Sequence, residues 1–489
     1  MKKIFKYISL LSIGVSILAC NNFDELNTDP NSAYTTKPDA LLSYAQKQLA
    51  DYLNTPSVNE NNFRLTMQYW QEVTYVDESN YDFVTRNISN NVWLDLYVDT
   101  MQNLVKAKSI INEYVPTATE QSTWPVTKAN QLAILDIQQV FIYQTLVDTY
   151  GDIPYNESNS IESTSLPKYE KAADIYTDLI SRLKNDLSKL DPSGSGFENP
   201  NDPDRSGDIF YKGNVAKWQT FGNSLLLKLA IGIADHNPSL AQSTATLAIG
   251  NGVMTSSADD CLFRYLSSSP NFNPLYENLV ASNRNDFVAG KTLVDYMNAS
   301  SDPRRAAYFD ENVTPYKGGT IGTPSSFAVN SHIGDFAYTQ TTPGVIMNYT
   351  EVAFYLAEAS ARWGIGVAPA LAYANAVNTS LSEWGVSTTD ATAYLAANPY
   401  NATNWKKSIG EQAWVAMFNQ GMVSWNFYRR LDFPVLSAPS TAVSQAEGKV
   451  PVRLQYPVRE TTTNPTNYAA AAASIGGDKL TTKIFWDKF

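Results

Sequence analysis

Two histidines, His236 and His332, and two cysteines, Cys20 and Cys261, are all that 489 residues offer for imidazole or thiolate chemistry. They are far apart and form no CxxC or mixed Cys/His spacing, which speaks against structural zinc, zincin hydrolysis and Cys–His nucleophiles. The sequence has no Gly-rich phosphate loop, no serine nucleophile elbow and no metal motif, so it implies no cofactor, no metal and no catalytic residue. Asp148 and Asp152 have the spacing of a carboxylate pair that could work as general acid and base. Acids at a helix end more often cap or face water, and this pair is read as bonding backbone amides in the turn. Arg429 and Arg430 could clamp an anion, although pairing with acids such as Asp432 is the usual fate of adjacent arginines. Tyrosine is the abundant chemistry: Tyr 29, Trp 10 and Phe 20 in a chain only 17% charged. Part of that excess must be core, and the rest suits contact with polar, ring-shaped ligands.

Such ligands present apolar faces and a polar rim, so a site for them needs aromatic platforms beside Asn, Asp, Gln or Arg. Trp70 to Arg86 holds such a mixture, with Trp70, Tyr75, Asn80, Tyr81, Asp82 and Arg86 as the candidate ligand residues. Phe272 to Asn285 holds a second, with Phe272, Asn273, Tyr276 and Arg284. The competing reading is that these tyrosines merely pin loops to a scaffold. Trp93, Trp218 and Trp384 fall on apolar helix faces and are read as core.

The elements that must carry these residues are mostly helices. Tyr176, Leu179, Ile180, Leu183, Leu187 and Leu190 recur at helical steps until Asp191-Pro192. Tyr373 to Trp384 repeats the pattern after Pro369 and stops at Gly385. Leu132 to Val147 is apolar nearly all round and predicts a buried central helix. Lys217 to Ala234 and Glu351 to Trp363 complete five helical segments, with small residues that allow close packing. Asp260 to Tyr265 and Gly448 to Pro457 are expected to be short strands. Asp191 to Arg205, Ser267 to Asn285, Pro315 to Thr342 and Ala438 to Lys449 form long polar loops of the kind that bind ligands. The class is all-α, with helix pairs over about 40–235 in an α-solenoid arrangement.

With 44% hydrophobic residues the chain is no disordered protein, and its formal charge of −12 removes the electrostatic drive for nucleic acid. Loss of Lys2, Lys3 and Lys6 with the leader would take that charge to −15. Those lysines, the apolar run Ile8 to Leu18 and Ala19-Cys20 make a secretory signal over residues 1–19, too short to span a bilayer. The placement of Cys20 resembles a bacterial lipobox, which implies that Cys20 is acylated and anchors a single domain, residues 20–489. Asn21-Asn22-Phe23-Asp24-Glu25 resembles the surface-export signal of Bacteroidetes lipoproteins.

Phe23-Asp24-Glu25-Leu26-Asn27-Thr28-Asp29-Pro30-Asn31, Trp93-x-x-x-Tyr97, Asp148-Thr149-Tyr150-Gly151-Asp152-Ile153-Pro154-Tyr155 and Lys217-Trp218-x-x-Phe221-x-Asn223-Ser224-Leu225 are followed by Glu358-Ala359, Tyr428-Arg429-Arg430 and Pro451-x-Arg453-x-x-Tyr456-Pro457. In this order they are similar to the SusD/RagB family of nutrient-binding outer-membrane lipoproteins. The resemblance implies four tetratricopeptide-like helix pairs in the N-terminal half. It also implies a lid-like role on a SusC-like, TonB-dependent transporter, with a glycan or other nutrient captured at the cell surface. It places ligand residues in the same two stretches named above, without an invariant motif to carry over. A glycan-cleaving surface enzyme and a structural lipoprotein without ligand are the alternatives.

Overall fold

The computed structural model describes residues 36–160, 164–199, 201–202 and 205–488. Prolines and asparagines mark where its helices begin. Pro38, Pro125, Pro238 and Pro369 each sit in a first helical turn, where a missing N–H is no loss. The side chains of Asn214, Asn237 and Asn348 accept from the backbone N–H of Lys217, Leu240 and Glu351, capping three starts.

In chain order the long helices are α1 (Pro38–Asn54), then α2, in which Ile88–Leu94 runs through π-helical Asp95–Met101 into Gln102–Glu113. They continue with α3 (Trp124–Tyr150), α4 (Ala172–Lys189), α5 (Val215–Gly232), α6 (Pro238–Asn251) and α7 (Lys291–Ala299). The last are α8 (Tyr349–Trp363), α9 (Pro369–Glu383), α10 (Thr388–Ala397), α11 (Trp405–Ala416), α12 (Gly421–Leu431) and α13 (Pro465–Ser474). The five segments read as helical fall in α3, α4, α5, α8 and α9.

Neighbouring helices pair, α1 on α2, α3 on α4, α5 on α6 and α8 on α9, and the pairs stack through α2 on α3, α4 on α5 and α5 on α8. The all-α class with stacked helix pairs is therefore as expected. The fourth pair, however, comes from residues 349–383 rather than from the N-terminal half. Helix α3 runs 27 residues, about 40 Å, and from Ala133 to Tyr150 it is buried on every side. A Cβ on Gly222 would lie 2.8 Å from Leu187 Cδ2, so a glycine there lets α5 approach α4 closely. Trp218 is fully buried, and Trp93 and Trp384 pack half-buried against the same core.

Among the described residues six short strands form three antiparallel ribbons: β1 (Trp70–Glu72) with β5 (Phe287–Ala289), β2 (Ile153–Pro154) with β3 (Tyr169–Glu170), and β4 (Cys261–Phe263) with β6 (Gly344–Met347). β4 lies in the expected stretch Asp260 to Tyr265. Gly448 to Pro457 forms no strand: the Leu454 N–H donates to Thr149 O (3.0 Å) and the Val452 N–H to Leu480 O (2.9 Å), so its donors reach two separate segments instead of one ladder.

Candidate functional site

The Tyr-Gly-Asp-x-Pro-Tyr turn closes α3 and is built as a structural joint. Gly151 takes φ +85°, which favours glycine, while its N–H still reaches Val147 O at 2.8 Å. Asp148 is buried and accepts from Tyr176 Oη (2.5 Å), Trp486 Nε1 (2.9 Å), Asn426 Nδ2 (2.9 Å) and Gln144 Nε2. Burial pushes its pKa up, although Arg429 and these donors oppose the shift. A carboxylate so enclosed has no room for the water or substrate a general acid must touch. Asp152 accepts from the first N–H of α4, that of Ala172, at 2.9 Å, and from Ser474 Oγ at 2.9 Å. Only Asp152 thus bonds a backbone amide, and it does so at the next helix rather than in the turn.

The arginine pair also faces inward, but not toward Asp432. Arg430 grips Glu358 with Nε and Nη2, 2.8–3.1 Å. Arg429 lies between the Trp425 and Trp486 rings and donates to Asp148 O at 2.7 Å and Val452 O at 2.9 Å. Both are at least nine-tenths buried, so neither forms a surface anion clamp.

The two loop stretches chosen from sequence meet at one ribbon. β1 and β5 are antiparallel, with Glu72 opposite Phe287, so the chain after Glu72 and the chain before Phe287 emerge from the same end. The Val73 N–H donates to Asp286 O at 2.8 Å and seals that end. Tyr75, two residues further on, has 71% of its surface exposed. Arg284 pairs with Asp286 at 2.8 Å and remains exposed.

Two of the long polar loops complete the face. The Ser325 N–H reaches Val73 O at 3.1 Å, Gln71 bonds both Thr323 O (3.0 Å) and the Gly322 N–H (2.9 Å), and the Val443 N–H reaches Asn80 O at 2.9 Å. The first loop also carries Phe327 and His332, stacked at 3.7 Å and 15°. Neither residue is among the ligand candidates the sequence offers. The loop stands out by its composition, but which of its side chains share a face depends on long-range pairing that composition does not encode.

Several named residues are structural. Trp70 and Tyr81 are 1% and 0% exposed, so their rings are core and cannot serve as open stacking platforms. Asn80 spends its amide on Val76 O and Gly322 O, both 2.8 Å. Asn273 caps a short helix through the Leu275 N–H (2.8 Å) and ties down Thr342 O (2.6 Å). Arg86 is ion-paired to the buried Glu78. Asp82 holds its own turn through the N–H groups of Val84 (3.1 Å) and Thr85 (3.0 Å) while staying half-exposed. Burial opposes ionisation there, but Thr85 and the two amides outweigh it and lower the pKa. Phe272 and Tyr276, half-exposed with rings 5.1 Å apart, belong to the other end of their stretch, where the short helix Pro274–Tyr276 rests on α1 and on Asp335–Tyr338.

Beneath the face lies a buried carboxylate pair. Glu72 accepts from the Ser79 N–H at 3.0 Å and shares a hydrogen bond with Glu78. Burial and that shared bond push Glu72 up to about 8, so the pair retains a proton at neutral pH. Among the described residues no group of three or more His, Cys, Asp or Glu could hold a metal, and no helix is long and apolar enough to cross a membrane. Cys20 and the Phe23 to Asn31 stretch lie outside the described residues.

All-α stacking, the inward-facing Tyr-Gly-Asp turn and long loops gathered at the β1/β5 ribbon define a helical scaffold of the SusD type. The family model described as "Starch-binding associating with outer membrane" matches residues 30–457, and the chain belongs to that SusD-like family. Among solved structures, a chitin-binding protein is 27% identical, with 93% of this chain and 100% of that one covered at a TM-score of 0.78. A chitin-binding SusD homologue from Flavobacterium johnsoniae is 22% identical over 91% of this chain and 98% of its own, TM-score 0.75. A SusD homologue from Bacteroides uniformis is 24% identical over 94% and 100%, TM-score 0.75. No curated protein matches the sequence.

Proposed function

We propose that the protein is a lipid-anchored receptor on the outer surface of the outer membrane, which binds a glycan and passes it to a SusC-like, TonB-dependent transporter. Membership of a starch-binding family supports carbohydrate as ligand, and the 27%-identical chitin-binding relative makes N-acetylglucosamine polymers the first class to try. The observation that carries the reading is the β1/β5 ribbon end, from which one strand leads on to the exposed Tyr75 and the other is entered from the exposed Arg284–Asp286 pair. An exposed aromatic ring beside hydrogen-bonding groups matches a pyranose, which is apolar on its faces and polar round its rim. The reading is of binding without cleavage, since the carboxylate pair that catalysis would need is enclosed at Asp148. Transfer to a barrel partner and anchoring through Cys20 belong to this proposal and rest on the family resemblance.

The test is calorimetric titration of residues 21–489 with chitin-, starch- and cellulose-derived oligosaccharides, followed by chromatography of each mixture. Saturable binding of at least one series, with the sugar recovered intact, is the expected result. Shortened products would favour an enzyme, and no binding in any series would remove the carbohydrate reading.

A further inference from the structure

A separate cavity of about 200 Å³ opens between α2, the residues following β2 and the segment after Pro457, and shares no lining residue with the β1/β5 face. Resting on the glycan reading above, we propose that this cavity is a second saccharide subsite, taking a single uncharged pyranose ring of a glycan. Its wall is Trp93, half-buried, with Tyr97 at 4.8 Å and 49°, Tyr150 edge-on at 5.1 Å and Tyr169 at 6.1 Å. Three neighbouring rings fix the indole in place before any ligand arrives, which lowers the ordering cost of binding. Among the described residues the Trp93 indole N–H has no hydrogen-bond partner, whereas the Tyr97 hydroxyl is already committed to Pro154 O at 2.5 Å. A sugar hydroxyl can accept from the indole N–H.

The rim fixes the ligand's chemistry. Gln102 and Thr463 are exposed there, and Asn464 is held by its bond to Pro167 O at 2.8 Å. Among the described residues no lysine, arginine or histidine lines the cavity, so none of them would neutralise a phosphate, sulfate or uronate. The charged residue among them, Glu460, is tied by the Tyr169 hydroxyl at 2.8 Å. An aromatic wall, a rim of amides and hydroxyls and no free cation select a neutral polyhydroxylated ring. The volume falls below the ~300 Å³ at which drug-sized pockets begin, which limits the occupant to one ring and leaves the rest of a glycan outside. Two separated footholds for one polymer would raise avidity without a tighter individual site.

Because Trp93 also packs the core, the test uses the exposed rim: Gln102→Ala/Thr463→Ala, Tyr75→Ala and the triple combination. Each is titrated with chitotetraose, maltotetraose and cellotetraose by calorimetry and by saturation-transfer NMR, with melting checked in parallel. The expected result is residual binding in Tyr75→Ala that the triple variant weakens at least about fivefold at unchanged melting temperature. Complete loss of binding in Tyr75→Ala alone would overturn the subsite and leave the loop face standing. Binding insensitive to Tyr75→Ala but abolished by the rim pair would support the subsite and count against the loop face. Binding equal to wild type in the rim pair and equal to Tyr75→Ala in the triple variant, or no binding of any tetrasaccharide to wild type, would overturn the subsite.

Discussion

Six residues apart, two tyrosines do opposite work. Tyr75 exposes 71% of its surface, while Tyr81 exposes none, sits at φ +67° and packs edge-on to Phe83 at 6.3 Å. On the proposed reading, removing the first ring takes away a contact made only in the complex. Tyr75→Ala is therefore expected to weaken glycan binding about tenfold, ~1.4 kcal/mol, with stability unchanged within ~0.5 kcal/mol. Tyr81→Ala opens a cavity and should cost about 3–5 kcal/mol of stability. Calorimetry and chemical denaturation on both variants separate the two roles, and a destabilised Tyr75→Ala would mean that its ring packs rather than binds. The sequence alone could not assign these roles, since both tyrosines lie in the same polar stretch. The left-handed backbone of Tyr81 and its place under the Gln68 and Phe83 side chains come from the fold.

The ribbon element carries a pH dependence of its own. Glu72 belongs to β1, is 3% exposed and holds a proton up to about pH 8, against an ordinary value of 4.5. Burial is the first cause and the bond with Glu78 the second, while Arg86 charge-pairs with Glu78 from the solvent side. Because the folded pKa is raised, the stabilising protonated state is fully in place below the unfolded value. That stability is lost as pH rises from about 4.5 through about 8. Glu72→Gln keeps a donor to Glu78 without an ionisable proton, so its melting temperature should fall less than that of wild type between about pH 6 and about pH 9. Parallel melting curves for the two proteins over that window would reject the shared proton. Helices were easier to read in the sequence than such ribbons. Five were visible because each repeats an apolar face several times, as α4 does from Tyr176 to Leu187, or is apolar all round, as α3 is. β1 and β5 are three residues each and gain their identity from a partner more than 200 positions away. Helices α1 and α6 show no such clear repeat for another reason: polar residues such as Gln46 and Thr244 occupy buried positions on their inner faces and blur the period.

At the scale of the whole molecule, the end of the chain returns to the beginning of the scaffold. Leu480, Ile484 and Trp486 are buried, and the Trp486 indole donates to Asp148 at 2.9 Å, at the end of α3. Phe485 meets the Tyr176 ring of α4 at 5.1 Å and His236 at 5.0 Å, and the Trp486 ring covers the Arg429 guanidinium of α12 at 4.8 Å. The family match ends at residue 457, yet this terminal segment joins α3, α4 and α12 in one core. Helix pairs and loop face should therefore unfold together rather than as separate units. Trp486→Ala removes a large core side chain and one of the donors that hold Asp148, so it should cost about 3–5 kcal/mol. Arg429 would lose one of its two ring covers and Asp148 would keep three of its four named donors, so the loss should reach both ends of the chain. Urea unfolding followed by far-ultraviolet circular dichroism, which reports the helices, and by oligosaccharide binding, which reports the loops, checks this. Coincident transitions shifted equally to lower denaturant are expected; an unshifted helix transition, or helices melting apart from the binding face, would show that the C-terminal segment is an appendage to a scaffold complete without it.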